Sequence, residues 1–393
     1  WQLNDRTAIR GGWGRFYDTP HLFFNTRFAN NPPWGAQITL TSPAGGFANP
    51  YLTYPGGNPF PGLATGWQTQ AFPTAGVYVN TPLDTQPTSL QQWNIGAQRQ
   101  VADWLLTASY LGNHSSHLWR ATELNYAVYA PGATTATTNA RRRLVLKNPA
   151  VGTFYGTMGQ LDDTGRANYN GMLLSAQKRL KGSLSALVNY TLSKCMSDPA
   201  TTELTGPTVT DPTNPDADYS YCDADRRHVV NLSLVARTGS FSNRALSAVL
   251  GGWQLAPIVR WQSGSRFTVT TGVDNALSGL GGQRAVQILD DPFGDGTVNS
   301  YLNRSAFTSP DAGTYSALRP NAFVGPSQFQ NDLALTRTFG FAERKIQVRW
   351  EIFNALNKAS FNNPTTGLNS TNFGRILTAG APRIMQFAIK YDF

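Results

Sequence analysis

Few residues in this chain could carry chemistry. Histidine occurs four times, as His21, His114, His117 and His228, and cysteine twice, as Cys195 and Cys222. His114 and His117 stand three apart at the end of an alternating stretch, and an extended strand sends that spacing to opposite faces, away from a shared metal. His228 follows Arg226 and Arg227 and reads as a structural residue at a strand end. Two acidic runs, Asp211–Asp216–Asp218–Asp223–Asp225 and Asp290–Asp291–Asp295, could offer oxygen ligands to Ca²⁺. Neither has the spacing of an EF-hand loop, and a solvated loop is the simpler reading. Gly279-Leu280-Gly281-Gly282 lacks the strand-to-helix setting of a phosphate cradle. There is no Ser-His-Asp order, P-loop or dinucleotide fingerprint. The chain is therefore not read as an enzyme, and no cofactor is expected beyond that candidate calcium.

The elements that hold these residues follow a period of two. In 385–393, Met385, Phe387, Ile389, Tyr391 and Phe393 fall on one face, and Gln386, Ala388, Lys390 and Asp392 on the other. Segments 344–357, 183–196, 103–114, 226–238 and 252–263 alternate in the same way, with weaker versions at 6–18, 88–100, 168–180 and 328–340. Leu90, Trp93, Ala97 and Val101 would also form a helical stripe, as would Ile346, Trp350, Phe353 and Asn357. Both segments are read as strands because they also alternate and adjoin turn residues. Pro257 lacks a ladder donor, which predicts a bulge or an edge there. Connections alternate between short (Ala102, Lys181-Gly182, 239–251, Gly340 to Glu343) and long (about 19–87, 115–167, 197–225, 264–327 and 358–380). Long strands with tight turns at one end and large loops at the other are the pattern of an outer-membrane β-barrel. Ten strands can be counted, which places the C-terminus on the short-turn, periplasmic side.

Composition narrows the alternatives. Of 393 residues only 14% are charged, 12% are aromatic, and Gly and Pro number 37 and 24. This disfavours helical bundles, coiled coils and charged disordered tails. The net charge of +9 comes from scattered bases, with one dense run at Arg141-Arg142-Arg143, so nucleic acid is not an expected partner. No apolar run approaches the ~18 to 20 residues of a membrane helix. The sequence opens at Trp1 with no signal segment, and Thr7 to Tyr17 already reads as a strand, so a piece lacking its N-terminal part is expected. A lipid-facing sheet must satisfy every backbone group, face hydrocarbon on one side and carry aromatic rings at its borders. Trp13, Trp104, Tyr110, Tyr190, Trp253, Trp261, Trp350 and Tyr391 fall on the outward faces as that girdle. Arg260, Gln347, Arg349, Glu351, Lys390 and Asp392 fall on the inward faces as lumen candidates. A soluble sandwich or propeller also alternates, but its strands are shorter, ~5 to 6 residues against ~9 to 11. Cys195 and Cys222 flank the 197–225 loop at the extracellular rim. A bridge closing that loop of about 26 residues would contribute roughly 3 kcal/mol in the chain-entropy model; two free thiols are the alternative.

The segment Thr7-Ala8-Ile9-Arg10-Gly11-Gly12-Trp13-Gly14-Arg15-Phe16-Tyr17-Asp18 resembles a strand of TonB-dependent outer-membrane receptors, in the Oar-like group with a carboxypeptidase-regulatory-like N-terminal domain. Gln91-Gln92-Trp93-Asn94-Ile95-Gly96, Ser109-Tyr110-Leu111-Gly112-Asn113, Asp225-Arg226-Arg227-His228, Gly251-Gly252-Trp253-Gln254, Gln262-Ser263-Gly264, Glu351-Ile352-Phe353-Asn354-Ala355-Leu356-Asn357 and Asn372-Phe373-Gly374-Arg375-Ile376 continue the likeness in family order. The resemblance implies a 22-stranded barrel around a plug, of which this chain is about the last ten strands. It implies a Gram-negative outer-membrane location and coupling to the TonB complex. The ending with Phe387, Ile389, Tyr391 and Phe393 resembles the signal read by the barrel-assembly machinery. The expected function is a receptor or transporter that captures an unknown extracellular ligand with its loops and passes it through a polar lumen. A surface-adhesion protein anchored by the barrel is the second reading, and a secreted glycan-binding β-protein a third.

Overall fold

In the computed structural model the described residues are 1–19, 28–33, 35, 42–53, 57–58, 72–181, 183–200, 208–239, 241–341 and 344–393. His21 and much of the expected 19–87 loop lie outside them. The strands are β1 (Gln2–Asn4), β2 (Thr7–Tyr17), β3 (Gly76–Asn80), β4 (Ser89–Val101), β5 (Trp104–Glu123), β6 (Tyr155–Lys181), β7 (Leu184–Ser197), β8 (Ser220–Tyr221), β9 (His228–Arg237), β10 (Trp253–Gln262), β11 (Arg266–Phe267), β12 (Val286–Gln287), β13 (Phe293–Thr297), β14 (Ser300–Leu302), β15 (Phe307–Thr308), β16 (Phe323–Val324), β17 (Gln328–Phe341), β18 (Arg344–Phe353) and β19 (Ile384–Asp392). Short helices are α1 (Arg143–Lys147), α2 (Pro149–Gly152) and α3 (Arg244–Leu250). No helix among the described residues is long and apolar enough to cross a membrane.

One sheet dominates, in the order β1-β2-β4-β5-β6-β7-β9-β10-β17-β18-β19, and its neighbours are antiparallel. Each alternating segment of the sequence forms one of its long strands. Both segments that also carried a helical stripe are extended, and the last of them ends at Phe353, not 357. The sheet is open within this chain: β1 and β19 stand at its two ends and do not pair with each other. A barrel closed by this chain alone is therefore not what forms.

Register sorts the side chains. Trp350 lies opposite Leu335 and Phe387, Leu335 opposite Leu255, Leu255 opposite Ala236, and Ala236 opposite Leu184. Further along, Ile9, Ala97, Ala108, Leu174, Tyr190, Val230, Trp261 and Phe329 form a second unbroken row on the same face. The aromatic residues Trp13, Trp104, Tyr110, Tyr190, Trp253, Trp261, Trp350 and Tyr391 all share this apolar face. Arg260, Gln347, Arg349, Glu351, Lys390 and Asp392 all share the opposite one, with Asn94, Gln98, Asn189 and Asn231. The apolar face is bare, with Trp13 68%, Phe387 73% and Ile389 76% exposed, so these side chains are not packed inside a globule. A contiguous apolar surface of this extent marks a membrane or protein contact.

Four expectations are corrected. The loop expected over 115–167 is strand at both ends, because β5 continues to Glu123 and β6 begins at Tyr155. The loop over 264–327 is not structureless: it contains the pairs β11–β16, β12–β15 and β13–β14. Pro257 is neither on an edge nor at a bulge. It sits in central β10 opposite Leu333, and the β9 ladder skips Ala256 and Pro257 without a change of register, as the missing N–H requires. The 239–251 connection folds into α3.

Placing a cation in the middle of the apolar face tests this sorting. Val188→Arg, opposite Ala176 and Leu232, should cost about 2–4 kcal/mol of folding into lipid vesicles by denaturant titration. Asn189→Arg, next in sequence but on the polar face, should cost well under about 1 kcal/mol.

Candidate functional site

The two borders of the apolar face carry cation–aromatic pairs. At the short-turn end Lys178 lies 6.0 Å from the Trp104 ring centre, and Arg337 lies 5.2 Å from Trp253 and 4.6 Å from Phe339. At the long-loop end Arg15 lies 5.1 Å from Tyr17, and Lys194 lies 5.5 Å from Tyr221. Between them the face is apolar. Long cationic stems can lie along such a surface while their heads reach water. His228 belongs to this upper border: its Nδ1 is 2.8 Å from the Tyr190 hydroxyl, and its ring lies 6.4 Å from that of Trp261. Trp350 differs from the other girdle residues. It stacks on Phe387 at 5.6 Å, and its indole N–H is buried without a partner.

On the polar face, side chains pair along β10, β18 and β19. Arg349 bonds Glu351, Lys390 Nζ lies 2.8 Å from Asp392, and the Arg260 guanidinium donates to Gln262 at 2.9 Å. These i, i+2 neighbours point the same way because strand side chains alternate. A hollow of about 390 Å³ on this face is lined by Arg10, Asn94, Gln98, Ser109, Tyr169 and Thr191 among others. Leu111, Met172 and Leu173 also line it, so its wall is mainly apolar with a few guanidinium, amide and hydroxyl groups.

Above the sheet, the long connections pack into a layer with its own core. Phe267, Val269, Ala285, Leu302, Ala306, Phe307, Phe323, Leu368 and Phe373 are buried together. Phe307 meets Phe323 and Phe373 edge-on, with ring centres 5.4 and 5.8 Å apart. Buried ion pairs tie loops to one another and brace the extended ends of β5 and β6. Arg284 bonds Asp218, Arg266 lies 3.1 Å from Asp225, and Arg120 lies 3.3 Å from Asp162 and 3.7 Å from Asp198. The one dense basic run is dismantled here. Arg141 and Arg142 are buried and donate to carbonyls of Val128, Leu277 and Asn125, while Arg143 stacks over Tyr126.

Cys195 and Cys222 are bonded, with Cα atoms 5.4 Å apart. The bridge is flanked by β8 pairing with β7 and by Asp225, which accepts the Cys195 N–H at 2.8 Å. The acidic runs do not converge. Asp218 and Asp225 hold arginines, and Asp211, Asp291 and Asp295 accept backbone N–H groups of their own turns. Among the described residues no three His, Cys, Asp or Glu side chains gather as a metal site. His114 bonds Asn168 and His117 bonds Asp163, each through a different part of β6. In the Gly279–Gly282 turn, Asp274 takes the Ser278 and Gly279 N–H groups, and Gly279 and Gly282 adopt φ of +83° and +72°. The Leu280 N–H is taken by the Ser278 hydroxyl, so two of the turn's donors are already engaged.

Sequence reading missed the polar interior of this layer. Glu123 is 1% exposed; one carboxylate oxygen accepts N–H groups of Asn125 and Met158 at 2.8 Å each, and the other has no partner. Burial pushes the Glu123 carboxyl above its ordinary value, against the lowering pull of those two N–H groups and Arg142. Burial raises Asp198 likewise. No pattern in the sequence separates these residues from exposed ones.

The outer membrane beta barrel domain family model matches residues 1–386. No curated protein matches the chain. Among solved structures, the outer membrane transporter YddB from Escherichia coli aligns with a TM-score of 0.53 at 11% identity, over 98% of this chain and 38% of its own. FpvA of Pseudomonas aeruginosa, bound to pyoverdines, gives 0.45 at 12% identity over 100% and 32%. The ferric-catecholate import receptor Fiu of E. coli gives 0.42 at 10% identity over 100% and 35%. The chain thus spans about a third of the solved proteins it resembles.

Two measurements test the loop layer. Arg284→Ala leaves Asp218 buried and unpaired, so the layer should lose about 3–5 kcal/mol, read as faster amide exchange in 208–221 and 316–324 with the long strands unchanged. For Glu123 the folded carboxyl holds its proton to higher pH than the unfolded chain does. Its contribution is therefore most favourable below the ordinary 4.5 and declines as pH rises from there through the raised value. Asp198 acts in the same direction. Exchange protection around 121–128 should fall over that window, and Glu123→Gln should flatten the fall.

Proposed function

The chain belongs to the outer membrane beta barrel domain family and resides in the outer membrane of a Gram-negative cell; from that premise we propose that it is the C-terminal barrel portion of a TonB-dependent receptor that imports a ligand captured on its extracellular loop layer. The observation that carries this reading is the sorting of side chains across the whole sheet, apolar on one face and polar on the other, with every long connection at one end. The apolar face meets the bilayer, and the polar face lines a path inward. The proposal includes about ten strands of a 22-stranded barrel, an upstream plug and Oar-like carboxypeptidase-regulatory-like domain, and the TonB complex as energy source. It also includes recognition of β19 and Phe393 by the barrel-assembly machinery. Its support is the ordered set of motif matches from Thr7 to Ile376, and an alternating last strand that ends beside an exposed Phe393.

A second reading, adhesion, draws on the loop layer itself. A layer with an aromatic core, buried ion pairs and a disulfide is a preformed surface, as suited to another cell's polymer as to a small solute. Cells carrying and lacking the full-length protein, given labelled oligosaccharides, peptides and ferric chelates, separate the two. Import of one class that requires the protein and stops when the proton-motive force is collapsed is the expected result. Surface binding that persists without import would replace transport by adhesion.

A further inference from the structure

Helix α3 connects β9 to β10 at the short-turn end. The Asn243 side chain caps it, accepting N–H groups of Ala245 and Leu246 at 2.9 and 3.2 Å, and Gly252 at φ +75° returns the chain to β10. Leu246, Val249 and Leu250 follow an i, i+3, i+4 pattern, with Arg244 and Ser247 on the other side. That apolar stripe is uncovered: Leu246 is 48%, Val249 63% and Leu250 47% exposed, and Phe241 just before the helix is 39% exposed.

The helix's last carbonyls show which side of the sheet it lies on. The Trp253 indole N–H donates to the Val249 carbonyl at 2.9 Å. The Arg337 guanidinium donates to Val249 at 3.3 Å and also to Ala248. Trp253 and Arg337 are cross-strand partners on the apolar face, at its lower border. Both side chains therefore reach from that face to the end of the helix. A cation at this end also suits the helix dipole.

We propose that α3 is a membrane-contact helix that inserts Leu246, Val249 and Leu250 into the periplasmic leaflet of the outer membrane, at the boundary of headgroups and acyl chains. Its occupant is phospholipid. The stripe continues the apolar face at the place where Trp253 and Arg337 end it, and Arg244, Arg337 and Lys178 supply positive charge at headgroup level. A short amphipathic helix of this type buries its apolar side about 5–10 Å into the interface. The proposal rests on the reading of the apolar face as lipid-facing.

Single-cysteine labelling of the full-length protein in phosphatidylethanolamine–phosphatidylglycerol vesicles tests it. Cys195 and Cys222 are bonded, so within these 393 residues an environment-sensitive fluorophore reports the new site, and labelling of the protein without it is subtracted. Label at Val249→Cys should emit as from an apolar medium and lose about half its intensity to lipid carrying a shallow nitroxide, as expected at interfacial depth. Label at Ile389→Cys on the apolar face should also be quenched, and label at Asp295→Cys in the loop layer should not. Water-like, unquenched emission at Val249→Cys with Ile389→Cys still quenched overturns the inference and leaves the membrane face intact. Loss of quenching at both positions overturns the lipid-facing reading and this inference together.

Discussion

A ribbon in hydrocarbon has no water to bond its N–H and C=O groups, so each must be paired with an adjacent ribbon. The long sheet obeys that constraint between neighbouring strands from β2 to β19, and only the outer edges of its two end strands lack a partner strand within this chain. The ladder then fixes the register, and the register fixes which side chains share a face. A slip of one residue in a single strand would bring its polar set to the lipid side. The strand interruption at Pro257 shows how little slack there is: two pairings to β9 are lost, yet the register on either side is the same, and the pairing to β17 continues throughout.

Outside the bilayer the constraint changes. Water can satisfy loop backbone there, and the long connections need not be ribbons. They nevertheless fold against one another, because 264–327 and 358–380 contribute enough aromatic and aliphatic surface for a small core. Charged groups buried beside that core survive by pairing across loops, as Arg284 does with Asp218 and Arg266 with Asp225. Glu123 and Asp198 are the incompletely paired members, and burial raises both carboxyls for that reason.

Alternation made the strands legible wherever one face meets lipid and the other water, since two unlike solvents select residues with a period of two. The same logic explains what was hidden. Ser115–Glu123 and Tyr155–Ala167 are strands with no lipid beside them, so nothing imposes alternation and they read as loop. The loop layer depends on contacts such as Arg284 with Asp218, 66 residues apart, which leave no local trace. Helix α3 has seven residues, too few to establish a helical period against its surroundings. Of the candidate residues, the cysteine pair was legible because both flank one loop at one rim. The arginine partners of Asp218 and Asp225 were not legible, because Arg284 and Arg266 lie 66 and 41 residues away.

The unequal length of the strands has a physiological consequence. β5 and β6 have 20 and 27 residues, well beyond what a membrane crossing needs. Ser115–Glu123 alone carries the hairpin about 30 Å along the strand direction past the crossing. The folded cap is held up like a mast above the lipid headgroups. A large particle approaching from the loop side therefore meets this stapled cap before it meets the membrane.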